Sequence, residues 1–171
     1  FDGISTLTQT GLYVQDQIKW RDRWVFNLGG RYDDAKGKLR DRPSGMNFDI
    51  DDSKFTGRAG VVYLMDGGWA PYASYTQSFL PTNTIDPTTG KPFGAETARQ
   101  YEAGVRWQPE GRKQSYSAAV FDLRRRNYIT YDAATFLPQQ RGEISVRGLE
   151  LEANAELLPR LNLTASYAYM D

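Results

Sequence analysis

The chain has 171 residues, and its 21 Lys plus Arg balance 21 Asp plus Glu, for a formal net charge of zero. That balance excludes a nucleic-acid module, which carries a basic excess, and an acidic solvating tail. Cys and His are both absent, which removes disulfides, thiolate metal sites, the commonest metal ligand and the commonest general base. Aromatic residues make up 13% of the chain, a share that disordered chains lack. Phe1-Asp2-Gly3 reads as mature sequence, without the basic flank and apolar core of a leader. No apolar run approaches the roughly 20 residues of a membrane-spanning helix, but a spanning strand needs only about 9–11, half of which can be polar.

Alternation with a period of two governs the chain from its start, the mark of strands with different solvents on their two sides. In the first strand Leu12, Val14, Ile18 and Trp20 share a face with Asp16. That predicts a place for Asp16 near a membrane rim, where the cost of a charge falls to about 0–1 kcal/mol. A short turn, 20–23, leads to a second strand with Trp24, Phe26, Leu28, Gly30 and Tyr32 on one face and Arg31 and Asp33 on the other. Residues 34–53 read as a long polar loop holding Asp49, Asp51 and Asp52. The spacing there lacks the sixth-position glycine and twelfth-position glutamate of a calcium loop, so these carboxylates read as solvated.

The third strand sets Phe55, Gly57, Ala59, Val61 and Tyr63 against Thr56, Arg58, Gly60, Val62 and Leu64. A short turn at 65–68 follows, and then Trp69, Pro71, Ala73 and Tyr75 against Tyr72, Ser74 and Thr76. Residues 80–98 form a second long connection with Pro81, Pro87 and Pro92, in which Asp86-Pro87-Thr88-Thr89-Gly90 is a turn signal. The fifth strand sets Tyr101, Ala103, Val105 and Trp107 against Gln100, Glu102, Gly104 and Arg106. After a short turn at 108–113, residues 115–123 are apolar on both sides and their faces stay unassigned.

Arg124-Arg125-Arg126 is then either a charged surface turn or an attractor of an anionic ligand or of lipopolysaccharide phosphates. The third long connection, 127–142, holds Tyr128, Tyr131, Phe136 and Arg141. Aromatics in a polar loop either line a ligand mouth or pin the loop to its neighbours. A seventh strand sets Leu149, Leu151 and Ala153 against Gly148, Glu150 and Glu152, a short turn spans 156–160, and an eighth strand runs through 161–170.

Short and long connections alternate throughout. In an up-and-down meander this puts tight turns at one end of the sheet and large loops at the other, as in outer-membrane barrels. Trp20, Trp24, Tyr32, Tyr63, Trp69, Trp107 and Tyr169 gather near strand ends, where amphipathic rings would form interfacial girdles. Strand propensity alone also collects aromatics. Arg31, Arg58, Arg106, Glu102, Glu150 and Glu152 sit mid-strand on polar faces, facing either a wet lumen and whatever fills it or bulk solvent. The fold class is all-β: an antiparallel up-and-down meander of about eight strands from a transmembrane β-barrel, forming one domain over 1–171.

Gly11-Leu12-Tyr13-Val14-Gln15-Asp16-Gln17 followed by Gly29-Gly30-Arg31-Tyr32-Asp33 resembles a strand pair of TonB-dependent siderophore receptors. So do Tyr72 to Phe79, Glu96 to Val105, Gly142 to Glu152 and Leu161 to Asp171. Their order and spacing are similar to the ferrichrome and hydroxamate-siderophore branch. The resemblance implies a segment of a 22-stranded barrel in the Gram-negative outer membrane. In the full-length parent that barrel encloses a plug, binds ferric siderophore at its mouth and imports it with energy relayed by the TonB complex.

The plug and its TonB-contacting segment have no counterpart here. The segment would meet outer-membrane lipid and lipopolysaccharide, would not bind nucleic acid, and would need no cofactor beyond the ferric siderophore its parent carries. Phe79, Tyr128, Tyr131, Phe136 and Arg141 are the candidate ligand contacts. No catalytic or metal-ligating set is found, so an enzyme is not expected. A stand-alone small outer-membrane barrel with a structural or adhesion role, or a soluble ligand-binding β-barrel, are the alternatives. An isolated run of strands is expected to close on itself or to associate through its edges.

Overall fold

Two kinds of rung cross the sheet, and the architecture follows from their difference. Ile18, Phe26, Val61, Ala73, Ala103, Val120, Leu149 and Tyr169 lie in register across all eight strands. One residue along, Gln17, Asn27, Gly60, Ser74, Glu102, Phe121, Gly148 and Met170 lie in register on the opposite face. Directly paired residues share a face, so one side of the sheet is apolar and the other is largely polar.

A computed structural model describes residues 3–41, 47–159 and 161–171. Its strands are β1 (Gly3–Trp20), β2 (Trp24–Asp41), β3 (Asn47–Tyr63), β4 (Trp69–Leu80), β5 (Glu96–Trp107), β6 (Gln114–Tyr131), β7 (Pro138–Leu158) and β8 (Leu161–Met170). They pair consecutively and antiparallel in one sheet of order β1 to β8, the expected meander. Among the described residues β1 pairs only with β2 and β8 only with β7, so of the two outcomes expected for an isolated run, self-closure and edge association, self-closure does not occur. Closing eight strands leaves an interior that side chains must fill, and here that face carries Arg, Glu and Gln, which need water or a polar partner.

The apolar side chains are not gathered into a core. Among the described residues no large side chain is fully buried, while Leu12 is 81% and Val14 73% exposed. A water-soluble domain of this size would bury such residues. β6 has the two-sided character that left its faces unassigned: Tyr116, Ala118 and Val120 stand on the apolar face, and Ala119 and Phe121 on the other. The Phe121 ring there lies over Gly148, close enough that a Cβ at Gly148 would meet it at 2.6 Å.

Aromatic rings border the apolar face at both ends. At the tight-turn end Trp69 and Trp107 stack at 5.2 Å, Trp107 and Tyr116 at 5.4 Å, and Trp24 lies 4.6 Å from Tyr63. At the loop end Tyr75 and Tyr101 lie 4.8 Å apart. From Trp24 to Tyr32 the apolar stretch of β2 covers eight rises of about 3.4 Å, which fits an apolar band about 25 Å tall once tilt is allowed for.

Three expectations need correction. Residues 34–53 are not mainly loop, because β2 continues to Asp41 and β3 begins at Asn47; residues 42–46 lie outside the described set. Residues 127–142 are likewise mostly strand, with β6 reaching Tyr131 and β7 starting at Pro138. The cause is the same in both. Past the apolar band both faces of a hairpin meet water, so alternation fades while backbone pairing continues. Charge complementarity replaces it, as Lys36 and Lys38 stand opposite Asp51 and Asp49. Third, Asp16 is not near the rim. It pairs with Leu28, midway between Leu12 and Trp20 on the apolar face, and makes no ion pair among the described residues.

The tight-turn end is closed by turn-to-turn contacts. Arg23 reaches Asp66 at 3.2 Å and Lys113 reaches Glu156 at 2.8 Å. The Gln108 amide donates to the Gly68 carbonyl at 2.9 Å, and the Trp107 indole donates to the Gly67 carbonyl at 3.1 Å. Arg160, in the last predicted turn, lies outside the described residues. Gly68 has φ 81, and a Cβ there would stand 1.9 Å from the Gln108 carbonyl oxygen. Gly68→Ala is therefore expected to lower the stability of the folded barrel by on the order of 2–3 kcal/mol, read as an earlier urea midpoint in micelles. An unshifted midpoint would refute this packing.

Candidate ligand mouth and lumen face

The polar face is a continuous hydrogen-bonded surface. Arg31 holds the buried Asp33 carboxylate through Nε at 2.7 and 2.8 Å, and Gln9 donates to the same group at 2.9 Å. Arg58 donates to Gln15. Tyr72 donates to Glu102 at 2.8 Å, and Gln100 donates to its other oxygen at 3.0 Å. Asn154 donates to Glu152 at 2.8 Å and accepts from Thr164 at 2.9 Å. Such a face is stable only against water or another polar surface.

At the loop end the connection 81–95 folds into a cap. Its hairpin is closed by an Ile85–Pro92 bridge and by amide bonds from Asp86 to Lys91 and from Phe93 to Thr84. The Asp86 carboxylate accepts from Thr88 and Thr89, the turn that Asp86 to Gly90 predicts. The cap meets β1 where Asn83 donates to Ser5 at 2.8 Å. Ser5 shares its rung with Leu39, and Ala35, Leu39 and Ile50 on that face are buried, as are Thr82, Phe93 and Ala95 of the cap and its hinge. Most of the buried apolar side chains among the described residues lie at this end of the sheet.

The other end of the cap is clamped by the β6–β7 hairpin. Glu96 accepts from Arg125 at 2.6 Å and from the Ile129 amide at 3.2 Å. Asn127 donates to the Ala95 carbonyl at 3.1 Å, and Gln140 to Gly94 and Asn127 carbonyls at 2.7 and 3.0 Å. Asn127 has φ 58, a left-handed conformation that Asn tolerates better than most residues, and it interrupts the β6–β7 pairing without shifting its register. Tyr128 then lies over the Arg125 guanidinium at 4.9 Å. The sequence reading put Asn127 and Gln140 in a long connection and Glu96 in another, so it gave no signal for this clamp.

The hairpin tip, 132–137, is organised by Asp132, whose carboxylate accepts from the Ala134 and Thr135 amides and the Thr135 hydroxyl at 2.8–3.0 Å. These donors hold its pKa below the ordinary 3.8. The tip is therefore indifferent to pH above that value and loosens only as pH falls through the lower folded one. Phe136 closes the tip with φ 56 and is 78% exposed. A bulky residue in that region costs on the order of 1–2 kcal/mol, and a glycine would relieve it.

Of the five predicted contacts, Tyr128, Tyr131, Phe136 and Arg141 gather on this hairpin, with Tyr128 tied to the clamp and Tyr131 and Phe136 exposed. Arg141 lies opposite Tyr128 and within electrostatic reach of Asp132. Phe79 is placed elsewhere: it pairs with Thr97 on the apolar face, in line with Tyr75. Asp49, Asp51 and Asp52 face lysines or Ala35 across the β2–β3 ladder.

The whole chain, residues 1–171, matches the family described as TonB dependent receptor-like, beta-barrel. It is 42% identical over 164 residues to the ferrichrome outer membrane transporter/phage receptor of Escherichia coli K12, covering 95% of this chain and 22% of that protein. It is 40% identical over 165 residues to the ferrioxamine B receptor of Salmonella typhimurium, covering 96% of this chain and 23% of that protein. Among solved structures, the alcaligin outer membrane receptor FauA of Bordetella pertussis superposes with a TM-score of 0.77 at 29% identity, over 98% of this chain and 30% of that one.

The chain is thus a run of outer-membrane barrel wall, and it belongs to the TonB-dependent receptor β-barrel family. It spans less than a quarter of the length of these curated relatives.

Removing the clamp should free the cap. Glu96→Ala deletes a part-buried charged hydrogen bond worth about 1–2 kcal/mol, so chymotrypsin cleavage after Phe93, which is buried in the closed cap, is expected to rise roughly 5- to 30-fold in the folded receptor. An unchanged cleavage rate would show that the cap is held by other means.

Proposed function

We propose that this segment supplies wall strands and part of the outer mouth of a receptor that takes up a ferric hydroxamate siderophore. The observation that carries this reading is the match along nearly all of the chain, at 40% identity or more, to receptors named for ferrichrome and ferrioxamine B. In the full-length protein a plug would occupy the polar face, where Arg106, Glu150 and Glu152 present charge mid-strand, and TonB would energise transport through that plug. The apolar face would meet lipid, with lipopolysaccharide in the outer leaflet. No part of the proposal requires catalysis or a resident cofactor.

The mouth contacts proposed here are Tyr128, Tyr131, Phe136 and Arg141. A ferric hydroxamate complex offers a compact, partly apolar surface, which exposed rings bury, and oxygen atoms, which a guanidinium reaches as a donor. The geometry favours these four over Phe79, whose place on the apolar face suits a lipid contact. Phe136 supports the assignment because a strained, exposed aromatic stands where glycine costs less.

Alanine at Tyr131, Phe136 and Arg141 together, in the full-length receptor, is expected to raise the Kd for ferrichrome or ferrioxamine B at least tenfold, measured by fluorescence quenching. Phe79→Ala should leave it within twofold. An unchanged affinity in the triple variant would remove the hairpin from the binding site. For the isolated chain, the uncovered β1 and β8 edges support association between copies, which sedimentation in detergent would read as species larger than the monomer.

A further inference from the structure

Asp16 is the one outward residue of the apolar band on β1 to β3 that the sheet does not account for. On β1 the outward side chains run Leu12, Val14, Asp16, Ile18 and Trp20. On β2, Tyr32, Gly30, Leu28, Phe26 and Trp24 stand opposite them in that order, and Phe55, Gly57, Ala59, Val61 and Tyr63 of β3 continue the same rungs. Each of these is aliphatic, aromatic or glycine except Asp16, which has two apolar rungs on either side of it. A carboxylate at that depth on a lipid-facing barrel surface is destabilising unless something pairs with it.

The β2 side offers no partner. Leu28, directly opposite, has no donor. Of the two diagonal neighbours, Phe26 is a hydrocarbon ring and Gly30 has no side chain, and the space over Gly30 is taken by the Phe55 ring, which a Cβ there would meet at 2.8 Å. Along β1 itself Val14 and Ile18 flank the carboxylate. Among the described residues Asp16 makes no hydrogen bond and no ion pair. The direction left is the outer edge of β1. That edge pairs with no strand among the described residues, and a strand in hydrocarbon cannot leave a row of N–H and C=O groups open. The chain spans less than a quarter of its curated relatives, so a receptor of their length has further strands to lay there.

We propose that Asp16 sets the register of the seam on the outer edge of β1. The barrel strand that pairs there presents a hydrogen-bond donor opposite Asp16 on the outward face, from a hydroxyl, amide or cationic side chain. Directly opposed Cβ atoms stand about 4.5–5.5 Å apart, a separation that a carboxylate and a donor side chain can bridge. A one-residue slip would turn the apolar side chains inward, and a two-residue slip would leave both the carboxylate and its donor against hydrocarbon. One polar pair in an otherwise apolar seam thus selects a single pairing, as a lone polar pair does in a coiled coil. The proposal rests on the reading of the apolar face as lipid-facing.

The test uses the full-length receptor. Ile18→Cys, which leaves Asp16 in place, is combined in turn with single cysteines at outward positions of the other strands. The position that forms a disulfide under mild oxidation fixes the register, and so identifies the residue opposite Asp16, two places further along. That residue is expected to be Ser, Thr, Tyr, Asn, Gln, Lys or Arg. Asp16→Leu is expected to lower the urea midpoint in micelles, with the folded-to-unfolded ratio falling about tenfold, because it strands the donor. Asp16→Asn, which still accepts a hydrogen bond, should recover part of that loss. A carboxylate without a partner predicts the reverse, since leucine suits lipid, so an unchanged or raised midpoint for Asp16→Leu would overturn the proposal. An aliphatic residue opposite Asp16, or a disulfide that joins two receptor molecules, would overturn it too. The disulfide is formed with Asp16 intact and decides the matter even where Asp16→Leu fails to fold. A nitroxide at Val14 tests the lipid reading separately: relaxation by a water-soluble nickel chelate and not by oxygen would sink that reading, whereas the residue opposite Asp16 decides the seam.

Discussion

One constraint organises this protein: the two faces of a single sheet meet different surroundings. A backbone crossing a membrane must pair all of its polar groups, and a sheet does this only through its neighbours. Once eight strands are paired in sequence, each residue has one remaining choice, which face it presents. The rung from Ile18 to Tyr169 and the rung from Gln17 to Met170 show how strictly that choice is made. That no large side chain is fully buried among the described residues follows. The apolar groups are sheltered by their surroundings, and the sheet is too thin to shelter them itself.

The same constraint explains which parts were legible in the sequence. Within the apolar band the alternation of β2, β3, β5 and β8 marked both the strands and their faces, because a one-residue slip would turn Phe26, Val61 or Tyr169 to the wrong side. Beyond the band that signal disappears. Lys36, Lys38, Asp49 and Asp51 read as loop because nothing apolar marks a face there, yet they stand in paired strands. Tyr131 was placed in a loop for the same reason. β6 was ambiguous because Ala119 and Phe121 are apolar on the polar face, and Phe121 there covers Gly148, a cross-strand contact that no period reveals.

The candidate mouth was legible only in part. Aromatic composition drew attention to Tyr128, Tyr131 and Phe136, and the structure gathers them on one hairpin. What holds that hairpin against the 81–95 cap is a set of long-range bonds, Glu96 to Arg125, Asn127 to Ala95 and Gln140 to Gly94. These partners lie about thirty or more residues apart, so spacing could not find them. Phe79 shows the converse case. It is aromatic and lies at a loop end, but its register with Thr97 sets it on the apolar face. Residue type names a candidate, and strand parity decides which surroundings it meets.

The tilt of the sheet connects the charged rim to the band below it. On β1 to β3 the apolar face extends to Leu12, Tyr32 and Phe55, whereas on β6 and β7 it stops at Val120 and Leu149, and the next rung brings Asp122 opposite Arg147. Rungs therefore climb across the sheet relative to the band, as tilted barrel strands require. On β5 and β6 the outward face is already charged at Arg99 and Arg124, which pair directly, whereas on β1 to β3 it is still apolar at Leu12, Tyr32 and Phe55. This cationic pair and the end of the β3–β4 ladder, at Arg58 opposite Thr76, coincide because of this climb. The strands part on the rung where the outward face passes from rings to guanidinium groups, and a gap that would be costly in hydrocarbon is tolerated there, since polar headgroups and water can satisfy the backbone groups it frees.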